Sequence, residues 1–310
     1  MPLDRSQVER RFKAMGGPCR IRLEIDSAPT EADAQAAIDA AVAEVARLEN
    51  KFSRYLDTSL TARINAAAGQ TDPVPIDAET AAILNYADTA WRESGGLFDL
   101  TSGVLRRAWD FKSGKLPSKQ ALDALLPLVN WQAVHWDDAG IRLARAGMEI
   151  DFGGCVKEYA TDSAAAILRN FGVTNALVDL AGDMVAIGTP GGEFGWQIGI
   201  RHPSQRDSAI AAIDLCDSGL ASSGEYERCL VVDGVRYGHI LHPQTGWPVR
   251  GLIAVSVLAP QCLVAGSAAT MAMLKPTADA LTWLQQLGLP WLAIDNELQC
   301  HGSIAAAQSS

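Results

Sequence analysis

One stretch constrains this chain more than any other: Asp151-Phe152-Gly153-Gly154-Cys155-Val156-Lys157-Glu158-Tyr159-Ala160-Thr161-Asp162. Met148-Glu149-Ile150 before it reads as the end of a strand. After it, Val156, Ala160, Ala164, Ile167 and Phe171 recur at helical spacing, and Gly172 is a natural C-terminal stop. A carboxylate therefore stands at a strand end, two glycines turn the chain, and a lysine falls in the first helical turn. Glycine lets backbone approach a ligand closely, and a helix N-terminus presents unpaired N–H groups to an anion. The pattern suits a phosphate-bearing ligand, although its spacing is neither that of a P-loop nor that of a dinucleotide fold. An ordinary strand–turn–helix with a surface lysine fits the same residues, so the rest of the chain must decide.

Upstream, helices dominate. Ile21 to Ile25 alternates as a half-buried strand behind a Met15-Gly16-Gly17 turn. Thr30 caps a helix whose apolar stripe runs from Ile38 to Phe52, and Asp77 caps a second that stops at Ser94-Gly95-Gly96. Short helices are expected after Ser59, over Val104 to Trp109 and from Ser118. A hairpin is expected around Asp137 to Gly140. Downstream, strands dominate: Thr174 to Leu180, Met184 to Gly188, Trp196 to Ile200, Ala209 to Leu215, a hairpin across Asp233-Gly234, and Leu252 to Leu258. Two helices, Pro260 to Leu274 and Thr277 to Leu287, precede a last hairpin, and residues 303–310 are expected to fray. This segregation favours an α+β fold over a doubly wound parallel sheet. No linker interrupts residues 1–310, which read as a single domain with room for two intertwined lobes around a cleft.

The formal charge of −10 over 310 residues disfavours nonspecific nucleic-acid binding. An anionic ligand then needs a local basic or amide-rich pocket, or a cation. Cys19, Cys155, Cys216, Cys229, Cys262 and Cys300 are dispersed, without CxxC or metal-ligand spacing, and read as buried reduced thiols. The absence of an apolar leader, of a lipoprotein cysteine near Met1 and of a long apolar run predicts a cytoplasmic protein without a membrane span.

Three aspartates, Asp99, Asp151 and Asp183, each end or follow an apolar run beside glycine and hint at one polar cleft. His239 stands at a strand end before Pro243-Gln244-Thr245-Gly246, where it could serve as a general base or simply donate to a carbonyl. Ala221-Ser222-Ser223-Gly224-Glu225-Tyr226-Glu227-Arg228 reads either as an anion-binding turn or as a polar hairpin loop.

Taken together, these segments resemble the ApbE-type flavin transferases, the FAD:protein FMN transferases. Met15-Gly16-Gly17 is similar to that family's Met-Gly-Thr. Ser53-Arg54-Tyr55 with Ser59 and Asn65 resembles its serine/tyrosine/asparagine segment. Gly96-Leu97-Phe98-Asp99-Leu100-Thr101, followed by Leu105 and Trp109-Asp110-Phe111, is similar to its GxFDxTxGPLxxxWGF. Asp151 to Asp162 resembles DLGGIAKGYAVD, Ala181-Gly182-Asp183 resembles GGD, Ser222 to Arg228 resembles SSGDYER, and His239 to Gly246 resembles HIIDPxTG. Seven motifs in order, from Met15 to about Leu274, make the resemblance specific.

The resemblance implies an α+β fold with FAD in a cleft between lobes. It implies phosphoryl transfer in which a threonine of an acceptor protein attacks the FMN-side phosphorus of FAD and AMP leaves, with Mg²⁺ on the pyrophosphate. An FAD pyrophosphatase of the same fold and a non-catalytic FAD-binding protein are the alternatives. Carried over by motif, Met15, Tyr55, Leu97, Phe98, Asp99, Asp151, Lys157 and Leu241 line the FAD site, with Ser222 and Ser223 near the pyrophosphate. His239 is the base, supported by Asp183, and the Gly154 carbonyl and Thr270 hold the metal. Three positions depart from the pattern. Gly266 stands where the ADxxxT stretch has its metal-binding aspartate, Glu158 replaces the glycine after the lysine, and His242 replaces the aspartate of HIIDP. Gly266 and His242 each remove a carboxylate, Glu158 adds negative charge near the expected phosphate site, and Gly266→Asp is expected to strengthen the metal site.

Overall fold

The computed structural model of the protein describes residues 6–25, 30–111, 113–192, 194–205, 208–225 and 229–308. In chain order the strands are β1 (Ser6–Ala14), β2 (Gly17–Ile25), β3 (Val134–Asp137), β4 (Gly140–Leu143), β5 (Ala176–Leu180), β6 (Asp183–Ile187), β7 (Trp196–Arg201), β8 (Ala209–Leu215), β9 (Gly219–Gly224), β10 (Cys229–Val232), β11 (Val235–Gly238), β12 (Leu252–Ala259), β13 (Trp291–Asp295) and β14 (Cys300–His301). The helices are α1 (Glu31–Phe52), α2 (Leu60–Ala66), α3 (Ala78–Glu93), α4 (Lys119–Leu125), α5 (Val156–Asn170), α6 (Cys262–Met273), α7 (Thr277–Gln286) and α8 (Ser303–Gln308). The α+β expectation holds. None of the described helices is long and apolar enough to cross a membrane.

The frame is an eight-stranded sheet in the order β1-β2-β5-β6-β9-β12-β13-β14, antiparallel at every ladder. Alternation assigns its faces. On β2, Cys19, Ile21, Leu23 and Ile25 are buried and the residues between them are half-exposed. One face carries α1, α5 and α6 over the main core. The other is covered by the β7–β8 hairpin, where the fully buried Trp196 packs with Leu177, Ala186, Leu215 and Leu220. α6 is apolar almost all round because the sheet, α5 and α7 all pack on it.

The helix caps follow the sequence: Thr30, Ser59, Asp77 and Ser118 each accept from the backbone N–H three residues on. α5 ends as expected. Gly172 takes φ +78°, and the Val173 and Gly172 N–H groups donate to Leu168 and Arg169. Phe171, counted in the apolar stripe, is instead the C-cap and stays exposed.

Four expectations need correction. Residues 6–14 form an edge strand that sequence reading left unassigned, because charge dominates it and its core contacts come from alternate positions, with Val8, Phe12 and Ala14 meeting the core. Met148 to Ile150 is not a strand: the Asn65 side chain replaces the ladder, accepting from Ile150 N–H at 2.7 Å and donating to its carbonyl at 3.1 Å. Gly219 to Gly224 is a central strand rather than a polar turn, while Tyr226, Glu227 and Arg228 of that motif lie outside the described residues. Residues 303–308 form a helix, pinned by buried Ile304, where fraying was expected.

Asn65 holds both polar groups of Ile150, so Asn65→Ala strands two backbone groups at once. We expect a loss of about 1–3 kcal/mol in unfolding free energy by urea titration, with Asn65→Asp, which keeps only the acceptor, falling between.

Candidate functional site

The segment from Asp151 to Glu158 threads three groups of side chains together. At its start, Asp151 accepts from Gly153 N–H at 2.9 Å and pairs with Arg54 at 2.9 Å, and Arg106 stands 3.7 Å away. Arg54 also pairs with Glu149. Burial opposes the Arg54 charge, but Asp151 outweighs it and holds the guanidinium above its ordinary value. Gly103 is required here, since a Cβ would stand 2.5 Å from that of Asp151. Tyr55 lies open beside this group, 74% exposed, its hydroxyl accepting from Arg106 at 3.4 Å.

In the middle of the segment, Gly154 lies against the buried Phe98 ring. Asp99, next in sequence, is occupied by the fold. It accepts from Thr101 N–H and hydroxyl and from Trp131 N–H at 2.7, 2.5 and 3.3 Å. Burial pushes its carboxyl up. Asp99 and Gly96 border a cleft of about 300 Å³ that includes Trp91, Asn130 and Pro243. Leu97 is half-buried between Gly96 and Phe98.

At the end of the segment, Lys157 forms an ion pair with Asp183, whose side chain is 2% exposed. Burial alone would lower the Lys157 ammonium, but Asp183 outweighs it and raises it. Asp183 is delivered by the β5–β6 turn at Ala181-Gly182, which takes φ +55° and +97°. The Met15-Gly16 turn packs beside it: Ala181 N–H donates to Pro18 O at 3.1 Å, and Met15 N–H donates to Glu49 at 2.7 Å. On the same face, Ser223 and Thr270 share a hydroxyl hydrogen bond of 2.8 Å.

The register of α5 against α6 is fixed by Asp162. Its carboxylate accepts from Cys262 N–H at 2.8 Å and Leu263 N–H at 2.9 Å, capping α6 from a neighbouring helix. One turn back on α5 and one turn along α6, Glu158 meets Gly266: a Cβ at 266 would stand 2.5 Å from Glu158 Cγ and 2.8 Å from its Oε1. α6 also packs on the Phe152–Gly154 turn. Glu158 is 7% exposed and its Oε2 has no hydrogen-bond partner. Burial first, and then neighbouring Asp183, push its carboxyl up to about 8.

Among the sequence candidates, Lys157 therefore meets Asp183 and Ser223 meets Thr270, and Asp151 with Tyr55 forms the adjoining arginine-rich group. Ser222 does not join them through its side chain. Alternation turns it to the opposite sheet face, where its hydroxyl bonds Ser256 at 2.7 Å, and only its N–H reaches Asp183, at 3.4 Å. Leu241 packs in a separate cluster with Trp109, Leu122 and Leu230. His239 follows β11 and neighbours Glu225 at the end of β9, since the Glu225 carboxyl lies against Gly238. His242 Nδ1 accepts from Gln244 N–H, and burial pushes its imidazole down. Arg54, Arg106 and Asp162 went unselected in the sequence. The first adjoins Tyr55 in its motif, and Asp162 closes the central motif, but their partners are distant in the chain. All six thiols are free, yet Cys216 and Cys300 are exposed rather than buried.

The described residues hold no group of three or more His, Cys, Asp or Glu side chains arranged for a metal. Mg²⁺ takes one or two carboxylates and completes its shell with water and substrate phosphate. The unpartnered Glu158 oxygen and the Thr270 hydroxyl are the oxygen donors such an ion needs, so the residues present fit it.

The chain is similar to known proteins over most of its length. The sequence profile of the ApbE family matches residues 15–292. A Treponema pallidum protein named FAD:protein FMN transferase is 31% identical, over 89% of this chain and 84% of its own. A Klebsiella pneumoniae protein of the same name is 28% identical, over 89% and 81%. The crystal structure of the ApbE protein from Thermotoga maritima superposes with a TM-score of 0.87 at 29% identity, covering 98% of this chain and 99% of that one.

Glu225 yields a pH prediction. Burial lifts its carboxyl to about 7 against the pull of Arg250 and Arg236. The native state thus keeps a proton that the unfolded chain has released, and the associated stability is full below pH ~4.5 and lost as pH rises through about 7. Denaturant midpoints should fall between pH 5 and 8, and Glu225→Gln should flatten that fall.

Proposed function

The chain belongs to the ApbE family, and from that premise we propose how it works: it is an FAD:protein FMN transferase that moves FMN from FAD to a threonine of an acceptor protein and releases AMP. The observation that carries this reading is the Lys157–Asp183 ion pair, set at the start of α5 and sharing a face with the Ser223–Thr270 hydroxyl pair. Chemistry at a pyrophosphate needs fixed charge and oriented donors more than covalent help. Asp183 holds Lys157 in place, and no side chain caps α5, so its first N–H groups remain available to phosphate oxygens.

The remaining assignments follow from that anchor. Gly153 and Gly154 let the pyrophosphate approach the backbone. Asp151, Arg54 and Arg106 form the charged wall beside Tyr55, whose exposed ring is placed to meet the flavin or adenine. Phe98 and Asp99 act by holding the wall behind Gly154, and Met15 by shaping the turn beside Asp183. Leu241 and Ser222 contribute less directly: Leu241 packs with Trp109, and the Ser222 side chain faces the other side of the sheet. Thr270 and the Gly154 carbonyl hold Mg²⁺, which when bound offsets the charge of the pyrophosphate and of departing AMP. In the transfer itself, the acceptor hydroxyl forms a bond to the FMN-side phosphorus and the bond to the AMP oxygen breaks. His239 takes the hydroxyl proton. Asp183 serves Lys157 rather than His239 in this scheme, because its carboxylate is committed to the ammonium.

Incubation with FAD, Mg²⁺ and a flavin-acceptor protein tests the activity. Covalent FMN on the acceptor supports the transferase, whereas free FMN with AMP indicates a hydrolase and intact bound FAD a non-catalytic binder. His239→Ala should slow transfer by about 10²–10⁴-fold with FAD affinity retained, and transfer at the wild-type rate would refute its role as base.

A further inference from the structure

Two of the positions that depart from the family pattern are in contact. Glu158 stands where a glycine is expected and Gly266 where an aspartate is expected, and the Glu158 side chain fills the space that a residue at 266 would occupy. In the sequence the two look like independent losses. In the fold they face each other: a carboxylate on the first turn of α5 stands over a glycine on α6.

We propose that Glu158 is the acidic ligand of this protein's divalent cation, reaching from α5 into the space left open by Gly266. Three observations support it. The residue is 7% exposed, and its Oε2 is buried without a partner, so an oxygen that ordinarily finds a donor has been left free. Its direction is fixed, because the Asp162 cap sets the register that lays it over Gly266. Gly266 and Thr270 are four residues apart on one helix and share a face, so a carboxylate over the first is directed to the same side as the hydroxyl of the second. A hard cation meeting a carboxylate, a hydroxyl and substrate phosphate oxygens finds the donors it prefers. Lys157 is committed to its ion pair with Asp183, so its ammonium does not take the Glu158 oxygen as its salt-bridge partner.

The inference rests on the functional reading above, and it reverses one expectation from the sequence. Gly266→Asp alone should not strengthen the metal site, because the new side chain collides with Glu158.

The test titrates Mn²⁺ by electron paramagnetic resonance into the intact protein, with and without FAD, while flavin fluorescence follows FAD binding. Wild type should bind Mn²⁺, most tightly with FAD present. Glu158→Gln keeps shape and volume and should weaken Mn²⁺ on the order of tenfold or more while FAD still binds. Gly266→Asp should lose Mn²⁺ affinity or melt earlier, and Glu158→Gly combined with Gly266→Asp should recover binding to within about threefold of wild type. Glu158→Gln binding Mn²⁺ as wild type does, or wild type binding none under either condition, overturns the proposal. Failure of wild type to bind FAD overturns the functional reading instead. A double variant that folds but binds no better than Glu158→Gln overturns the pairing of the two positions.

Discussion

The Asp162 carboxylate is the constraint on which the site depends. Two backbone N–H groups at the start of α6 have no partner within their own helix, and Asp162 satisfies both from α5. Because the cap comes from another helix, it fixes how far one helix slides along the other. A shift of one residue would carry Glu158 off the glycine at 266. Alanines make up much of the buried surface of both helices, and small side chains specify register less sharply than a two-pronged cap does. Packing supplies the adhesion here, and one half-buried acid supplies the register.

A second dependence runs through the hairpin turns. Met15 and Ala181 both adopt positive φ without being glycine, at +52° and +55°. Each is followed by a glycine, and the two turns lie against each other, where Gly17 would clash with Ala181 if it carried a Cβ. The strain at each is modest, and the sheet holds it. Its return is the placement of Asp183, which leaves the turn already buried and pointed at the start of α5.

Much of this was legible in the sequence, for identifiable reasons. Capped helices with long apolar stripes, such as α1 and α3, declare themselves, as does a glycine-stopped helix such as α5. Strands declare themselves only when they alternate or are rich in β-branched residues. β9 does neither: Gly219-Leu-Ala-Ser-Ser-Gly224 has the composition of a turn and is a strand only because β6 and β12 flank it. β1 is hidden by its charge. The site shows the same divide. Lys157 and Asp183 could be marked as candidates, but their pairing could not be seen, since 26 residues separate them. The Ser222 and Ser223 hydroxyls could not be sorted before the strand was known, because alternation decides which of them faces α6.

The contact between Glu158 and Gly266 limits how the two positions can change. They share one volume, so an acid at both is sterically barred, and an acid at either requires a small residue at the other. A lineage passing from one arrangement to the other cannot acquire the new acid before giving up the old one. A route through glycine at both positions leaves neither with a carboxylate. The arrangement found here is therefore separated from its mirror by a step through a weakened protein, and neither position can be judged from its own column in an alignment.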